Sequence, residues 1–182
     1  MSFEFYKLEC LVTNNTYCEN MVCEIKTIRR GVQALNIHAD LLVELNDIFI
    51  MNIEVTSKTS TNAFKNLVFN VSANLCGNIY ETPLLKMISP LLDKFAPGLI
   101  HECPYPPKKG FGLHDMIIDP SLLPLISLAT FERVDYRVHT TYTDKHGITL
   151  LKVTLYARLQ PKTIRKKTAT VAAKSGLTKL FI

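Results

Sequence analysis

A two-sheet antiparallel β-sandwich with one short helix is the fold this sequence predicts. Three observations lead there. Apolar residues alternate with polar ones at period 2 through most of the chain, and a single stretch keeps helical spacing. The 182 residues, 47% of them hydrophobic, are also about one domain's worth and enough to bury a sizeable core.

The elements follow in order. Val22 to Arg30, Gln33 to Val43 and Asp47 to Ser57 read as three strands, the first two joined through Gly31 in a tight hairpin. Leu35, Ile37, Ala39 and Leu41 share one face of the second strand, opposite Asn36, His38 and Asp40. In the third, Phe49, Met51, Ile53 and Val55 alternate with Ile50, Asn52, Glu54 and Thr56. Residues 64–75 form a fourth strand, with Leu67, Phe69, Val71 and Ala73 on one side. Thr82 is placed to cap a helix from Pro83 to about Phe95, because proline is tolerated at the first helical position. Pro90 must kink that helix or end it early. Residues 97–133 hold six prolines and read as extended connections, with a short edge strand near Leu113 to Ile118 and Gly110-Phe111-Gly112 as a turn. Val134 to Thr143 and Gly147 to Leu159 form the final hairpin, with Leu151, Val153, Leu155, Ala157 and Leu159 all pointing one way. The domain is expected over 1–159.

Charge divides the chain. Of the 21 Lys+Arg, six lie in residues 160–182, where there is no acidic residue; the body 1–159 keeps 15 against 16 acidic ones, a net of −1. The tail reads as a poorly ordered, solvated terminus, and no nucleic-acid partner is expected. No apolar run nears the roughly 20 residues of a membrane-spanning helix. Met1-Ser2-Phe3-Glu4 is not a secretory leader, which fits either a cytosolic protein or a chain whose leader has been removed.

Cysteines occur at 10, 18, 23, 76 and 103, with neither CxxC nor finger-like His spacing, so zinc is disfavoured and the choice lies between buried thiols and disulfides. Sequons stand at Asn14-Asn15-Thr16 and Asn70-Val71-Ser72. If Leu67, Phe69 and Val71 are buried, Asn70 faces solvent, where a glycan attaches. Outward sequons together with several cysteines favour a secreted, oxidised protein. Enzyme motifs are missing: the sequence has no nucleophile elbow, phosphate loop, HExxH or calcium loop, and His38, His101, His114, His139 and His146 are scattered. No catalysis, cofactor or metal is expected.

The segments Phe3-Glu4-Phe5-Tyr6-Lys7-Leu8-Glu9-Cys10, Cys23-Glu24-Ile25-Lys26, Leu35-Asn36-Ile37-His38-Ala39, Phe69-Asn70-Val71-Ser72-Ala73-Asn74-Leu75-Cys76, His101-Glu102-Cys103-Pro104-Tyr105 and Tyr136-Arg137 together resemble a large insect family of small secreted proteins, some linked to chemosensory tissue. The part from Cys103-Pro104-Tyr105 to Asp135-Tyr136-Arg137-Val138 also resembles the ganglioside-activator branch of the ML lipid-recognition superfamily. That resemblance implies an immunoglobulin-like sandwich whose sheets splay to hold a lipid tail, without catalytic residues. It implies the pairs Cys76–Cys103 and Cys10–Cys23, leaving Cys18 odd and Cys18–Cys23 as the competing pairing. The sequence departs from the family at Glu132-Arg133-Val134-Asp135, where members carry a turn glycine.

The expected function is a secreted, non-enzymatic protein holding a lipid or hydrophobic semiochemical between its sheets. The expected lining is Phe49, Met51, Ile53, Val55, Leu67, Phe69, Val71, Leu151, Val153 and Leu155, with Met87, Leu91 and Phe95 of the helix closing one end. The alternative is a secreted module that binds a receptor or other extracellular protein and has a filled core.

Overall fold

The computed structural model describes residues 2–29, 32–46, 48–58, 63–76, 86, 93–99, 102–117 and 134–160. Eight strands are present: β1 (Ser2–Val12), β2 (Cys18–Arg29), β3 (Val32–Leu41), β4 (Phe49–Lys58), β5 (Asn66–Asn74), β6 (Lys108–Ile117), β7 (Val134–Asp144) and β8 (Thr149–Gln160). They form two antiparallel sheets, β1-β8-β7-β4-β5 and β2-β3-β6, the predicted sandwich. The predicted hairpins are present as β2–β3 and β7–β8.

Period-2 burial decides what faces inward. Across the five-stranded sheet Met51 pairs with Tyr142 and Ala73, Val55 with Val138 and Phe69, and Val138 with Leu155, so these rows share the inner face. On β3 the inner residues are Leu35, Ala39 and Leu41, all buried, and half-buried Ile37. The core splits into two clusters. The larger gathers Leu41, Leu45, Phe49, Met51, Ala73, Leu75, Tyr105 and Leu150; the smaller gathers Phe5, Leu35, Leu155 and Ala157.

Tyr105, only 1% exposed, organises one end. It bridges Leu45 through the backbone and meets Phe49 and Phe111 edge-on, at 5.6 Å each. Its hydroxyl lies 2.8 Å from the Leu99 carbonyl and 3.0 Å from that of Leu75, so a phenol that is costly to bury is satisfied.

Both implied disulfides are formed, with α-carbons 6.1 Å apart in Cys10–Cys23 and 4.9 Å in Cys76–Cys103. The first ties β1 to β2, edge strands of opposite sheets; the second ties the end of β5 to the segment before Tyr105. Their separations of 13 and 27 residues correspond to about 3 and about 3.5 kcal/mol of lost unfolded-state entropy. Cys18 is free and buried, so the competing Cys18–Cys23 pairing is not formed.

One strand is added and two expectations are corrected. Residues 2–12 form a full edge strand that the alternation did not disclose, because a bulge between Phe5 and Lys7 puts Phe5 and Leu8 on the same side. Gly110-Phe111-Gly112 is not a turn but lies inside β6, which runs from Lys108 and carries two register shifts against β3. Leu67 does not face the other sheet: a shift after Val55 sets it opposite Thr56, and it is 61% exposed. Of the predicted helix, Lys86 and residues 93–95 are helical. Met87, Leu91, His101 and the tail from residue 161 lie outside the described residues. No helix among the described residues is long and apolar enough to cross a membrane.

Candidate functional site

The inter-sheet space holds a small apolar cavity of about 50 Å³. Its walls come from β2 (Cys18, Met21), β3 (Ile37, Ala39, Leu41), β4 (Phe49), β6 (Phe111, Leu113), β7 (Tyr142) and β8 (Leu150, Leu151, Val153), with Leu45 and Leu99 from connecting segments. Period-2 alternation puts Ile37, Ala39 and Leu41 inward together. Phe111 reaches the cavity because Gly112 beside it lets β6 lie close against β3. A Cβ on Gly112 would stand 2.2 Å from the Ile37 carbonyl oxygen, and its φ of +145° is one that side chains disfavour.

The titratable groups of the lining are Cys18, Tyr142 and His38 of β3, and burial, then the neighbouring His114, lowers the His38 pKa and so favours the neutral ring. Burial pushes the Cys18 thiol up to about 11 and the Tyr142 phenol up to about 12, so both are neutral at physiological pH. Beyond Tyr142, Asp144 ends β7: its Oδ1 accepts from the His146 and Ile148 N–H groups at 2.9 and 2.8 Å, and Oδ2 accepts from the Tyr17 hydroxyl at 3.2 Å. Burial opposes ionisation of Asp144, but these three donors prevail and hold its carboxyl below the usual aspartate range.

Of the expected lining residues, Phe49, Leu151 and Val153 border the cavity. Met51 and Val55 are buried, and Ile53, Phe69 and Val71 half-buried, without bordering it; Leu155 belongs to the second core cluster. Phe95 is half-buried and apart from it. Sequence reasoning left out the other walls, among them Met21, Phe111 and Tyr142 and the whole β3 face of Ile37, Ala39 and Leu41. Tyr142 sits at an inner period-2 position of β7, opposite Met51, and that spacing could have found it.

A second hollow, about 220 Å³, adjoins the cavity and shares Leu99, Phe111 and Gly112 with it. Its remaining lining is Pro97, Lys108, Lys109, Gly110 and His114. Here β6 is held by side chains of β3. Asp40 accepts the Gly110 N–H at 2.7 Å and the Asn20 amide at 2.9 Å, while His114 donates to the Gly110 carbonyl at 2.7 Å. His38 stacks on His114 at 4.4 Å, and burial, then the neighbouring His114, lowers its pKa.

The remaining candidates lie on the surface. His139, on the outer face of β7, is 2.9 Å from the Thr154 hydroxyl. Among the described residues, no group of three His, Cys, Asp or Glu is placed to hold a metal. Asn70 is exposed on β5, and the Asn14 amide oxygen accepts from the Thr16 N–H and hydroxyl at 3.0 and 2.6 Å. No protein-family model and no curated protein sequence matches the chain.

Proposed function

We propose that this is a secreted, non-enzymatic binding protein that takes a lipid or hydrophobic signalling molecule between its two sheets, as the resemblance to the insect ML-like proteins implies. The observation that carries the reading is an apolar cavity between the sheets that adjoins an open hollow at the β6 edge. An aliphatic tail would gain roughly 0.8 kcal/mol for each CH₂ it buries there. Met21 is a wall whose flexible side chain can follow different chain shapes, which favours broad over narrow selectivity. Two cystines suit an oxidising, extracellular setting.

The size of the cavity favours the second reading, a secreted protein-interaction module with a filled core. About 50 Å³ is room for a water or two, against the roughly 300 Å³ and more of ordinary ligand pockets. Binding a tail therefore requires the sheets to separate at the β6 end. Displacement of a fluorescent fatty-acid probe decides between them. We expect long-chain aliphatic molecules to displace it, and Met21→Phe, which fills the cavity, to abolish uptake without lowering the melting temperature. Absence of probe uptake by the intact protein transfers the assignment to the protein-interaction reading.

A further inference from the structure

We infer that the Tyr142 hydroxyl is the recognition group of the inter-sheet cavity, and that the ligand is an aliphatic molecule carrying one neutral oxygen, an alcohol, ketone or ester, hydrogen-bonded to it. The inference deepens the proposed function and rests on it for entry of the tail.

Tyr142 stands at an inner position of β7, opposite Met51 and Leu151, and borders the cavity. Its ring is tilted against Phe49 at 5.7 Å. Because the side chain faces inward, the surface that this half-buried residue still exposes opens on the space between the sheets. The hydroxyl makes no hydrogen bond to any described residue, and desolvation by burial is the one cause that raises its pKa. Two other tyrosines of the same core cluster provide the contrast. Tyr105 sets its hydroxyl against the Leu99 and Leu75 carbonyls, and Tyr17 donates to Asp144. A phenol taken out of water without a partner is costly, so one that the protein leaves unbonded beside a cavity marks where another molecule supplies the bond.

The rest of the wall sets the class of molecule. No Lys, Arg, Asp or Glu borders the cavity among the described residues, so a charge carried to its depth would be left uncompensated. Cys18 offers only a weak donor, and the His38 ring stacks on His114 of β6. The phenol both donates and accepts, which suits the hydroxyl of an alcohol as well as the carbonyl of a ketone or ester. Phe49, Met21 and Leu151 supply apolar contacts for the chain beside that oxygen. A pure hydrocarbon fills the same space and leaves the phenol unbonded.

Tyr142→Phe removes the oxygen alone and tests this in the intact chain. With no partner to lose, the variant is expected to melt no lower than wild type. A drop of several degrees would mean that the hydroxyl is bonded within the folded protein, and would overturn the inference. Affinities of decane, decanol, methyl decanoate and decanoate are then read from displacement of the neutral fluorescent probe N-phenylnaphthylamine. Decanol and methyl decanoate are expected to bind about tenfold weaker to the variant, the loss of one hydrogen bond. Decane, and decanoate with its charge kept in water at the mouth, are expected to change by less than about twofold. An equal loss for all four, or none for decanol and the ester, would overturn the role of Tyr142 and leave the tail reading standing. Displacement of the probe by none of the four overturns both.

Discussion

The ladder between β4 and β7 runs from Phe49–Asp144 to Lys58–Asp135, ten pairs without a register shift, whereas both ladders of the three-stranded sheet shift twice. The outer faces differ accordingly. On the five-stranded sheet they carry pairs of opposite charge: Arg158 reaches Asp135 at 2.7 Å and Arg137 reaches Glu54 at 3.3 Å across strands, and Lys7 reaches Glu9 at 2.6 Å along β1. An exposed pair such as Lys7–Glu9 contributes little, whereas Arg158 holds the buried Asp135 through two bonds, at 2.7 and 3.3 Å. On the three-stranded sheet the side chains replace missing ladder bonds. Asn36, 5% exposed, donates to Asp115 at 3.0 Å and accepts the Asp115 N–H at 2.9 Å, and Asp115 itself sits at a φ of +45°. Asp40 does the same for Gly110. A regular ladder thus tolerates change on its outer face, while a bulged one depends on single residues, and the bulged strand β6 is the one that borders both hollows.

Substitutions at matched positions can break that contrast. The largest effect is expected at Gly112→Ala, whose new Cβ meets the Ile37 carbonyl on a backbone that disfavours it; about 3–5 kcal/mol should be lost in denaturant unfolding. A loss below 1 kcal/mol would mean that β6 can move away from β3 freely. Next, Asn36→Ala strands the Asp115 N–H, and about 1–3 kcal/mol should disappear from the same measurement. The counterpart on the five-stranded sheet is Ser72→Ala at an exposed position of β5, which should stay within about 0.5 kcal/mol of wild type.

The smallest effect is an acid one, and it concerns the hairpin joining β7 and β8. The carboxyl of Asp144 titrates below its unfolded value, so its contribution is present above the usual aspartate range and is lost as pH falls through the folded value. Melting temperature followed downward from pH 6 should therefore drop more steeply in wild type than in Asp144→Asn, with the difference confined to the region near and below pH 4. Parallel curves would remove Asp144 from the account.

The same contrast explains what could be read in advance. Alternation is local, so the inner faces of β3, β4 and β8 stand in the sequence as Leu35-Ile37-Ala39-Leu41, Phe49-Met51-Ile53-Val55 and Leu151-Val153-Leu155. The two-sheet class follows from them, because each such face needs another to cover it. Bulges shift that phase by one residue, and nothing local announces them. They hid β1 behind Tyr6, turned Leu67 outward and made the Gly-Phe-Gly of β6 look like a turn. The cavity was still less visible, since its walls come from six strands and a pocket depends on how closely two sheets approach. Cystine partners are equally non-local: the cysteine positions were plain, but Cys18 and Cys23 both lie on β2 and only the second meets Cys10 of β1. What the residues determine alone is which side of each strand seeks burial. Register, pairing and the space left between the sheets belong to the tertiary structure, because they are settled by contacts between segments as far apart as Phe3 and Leu159.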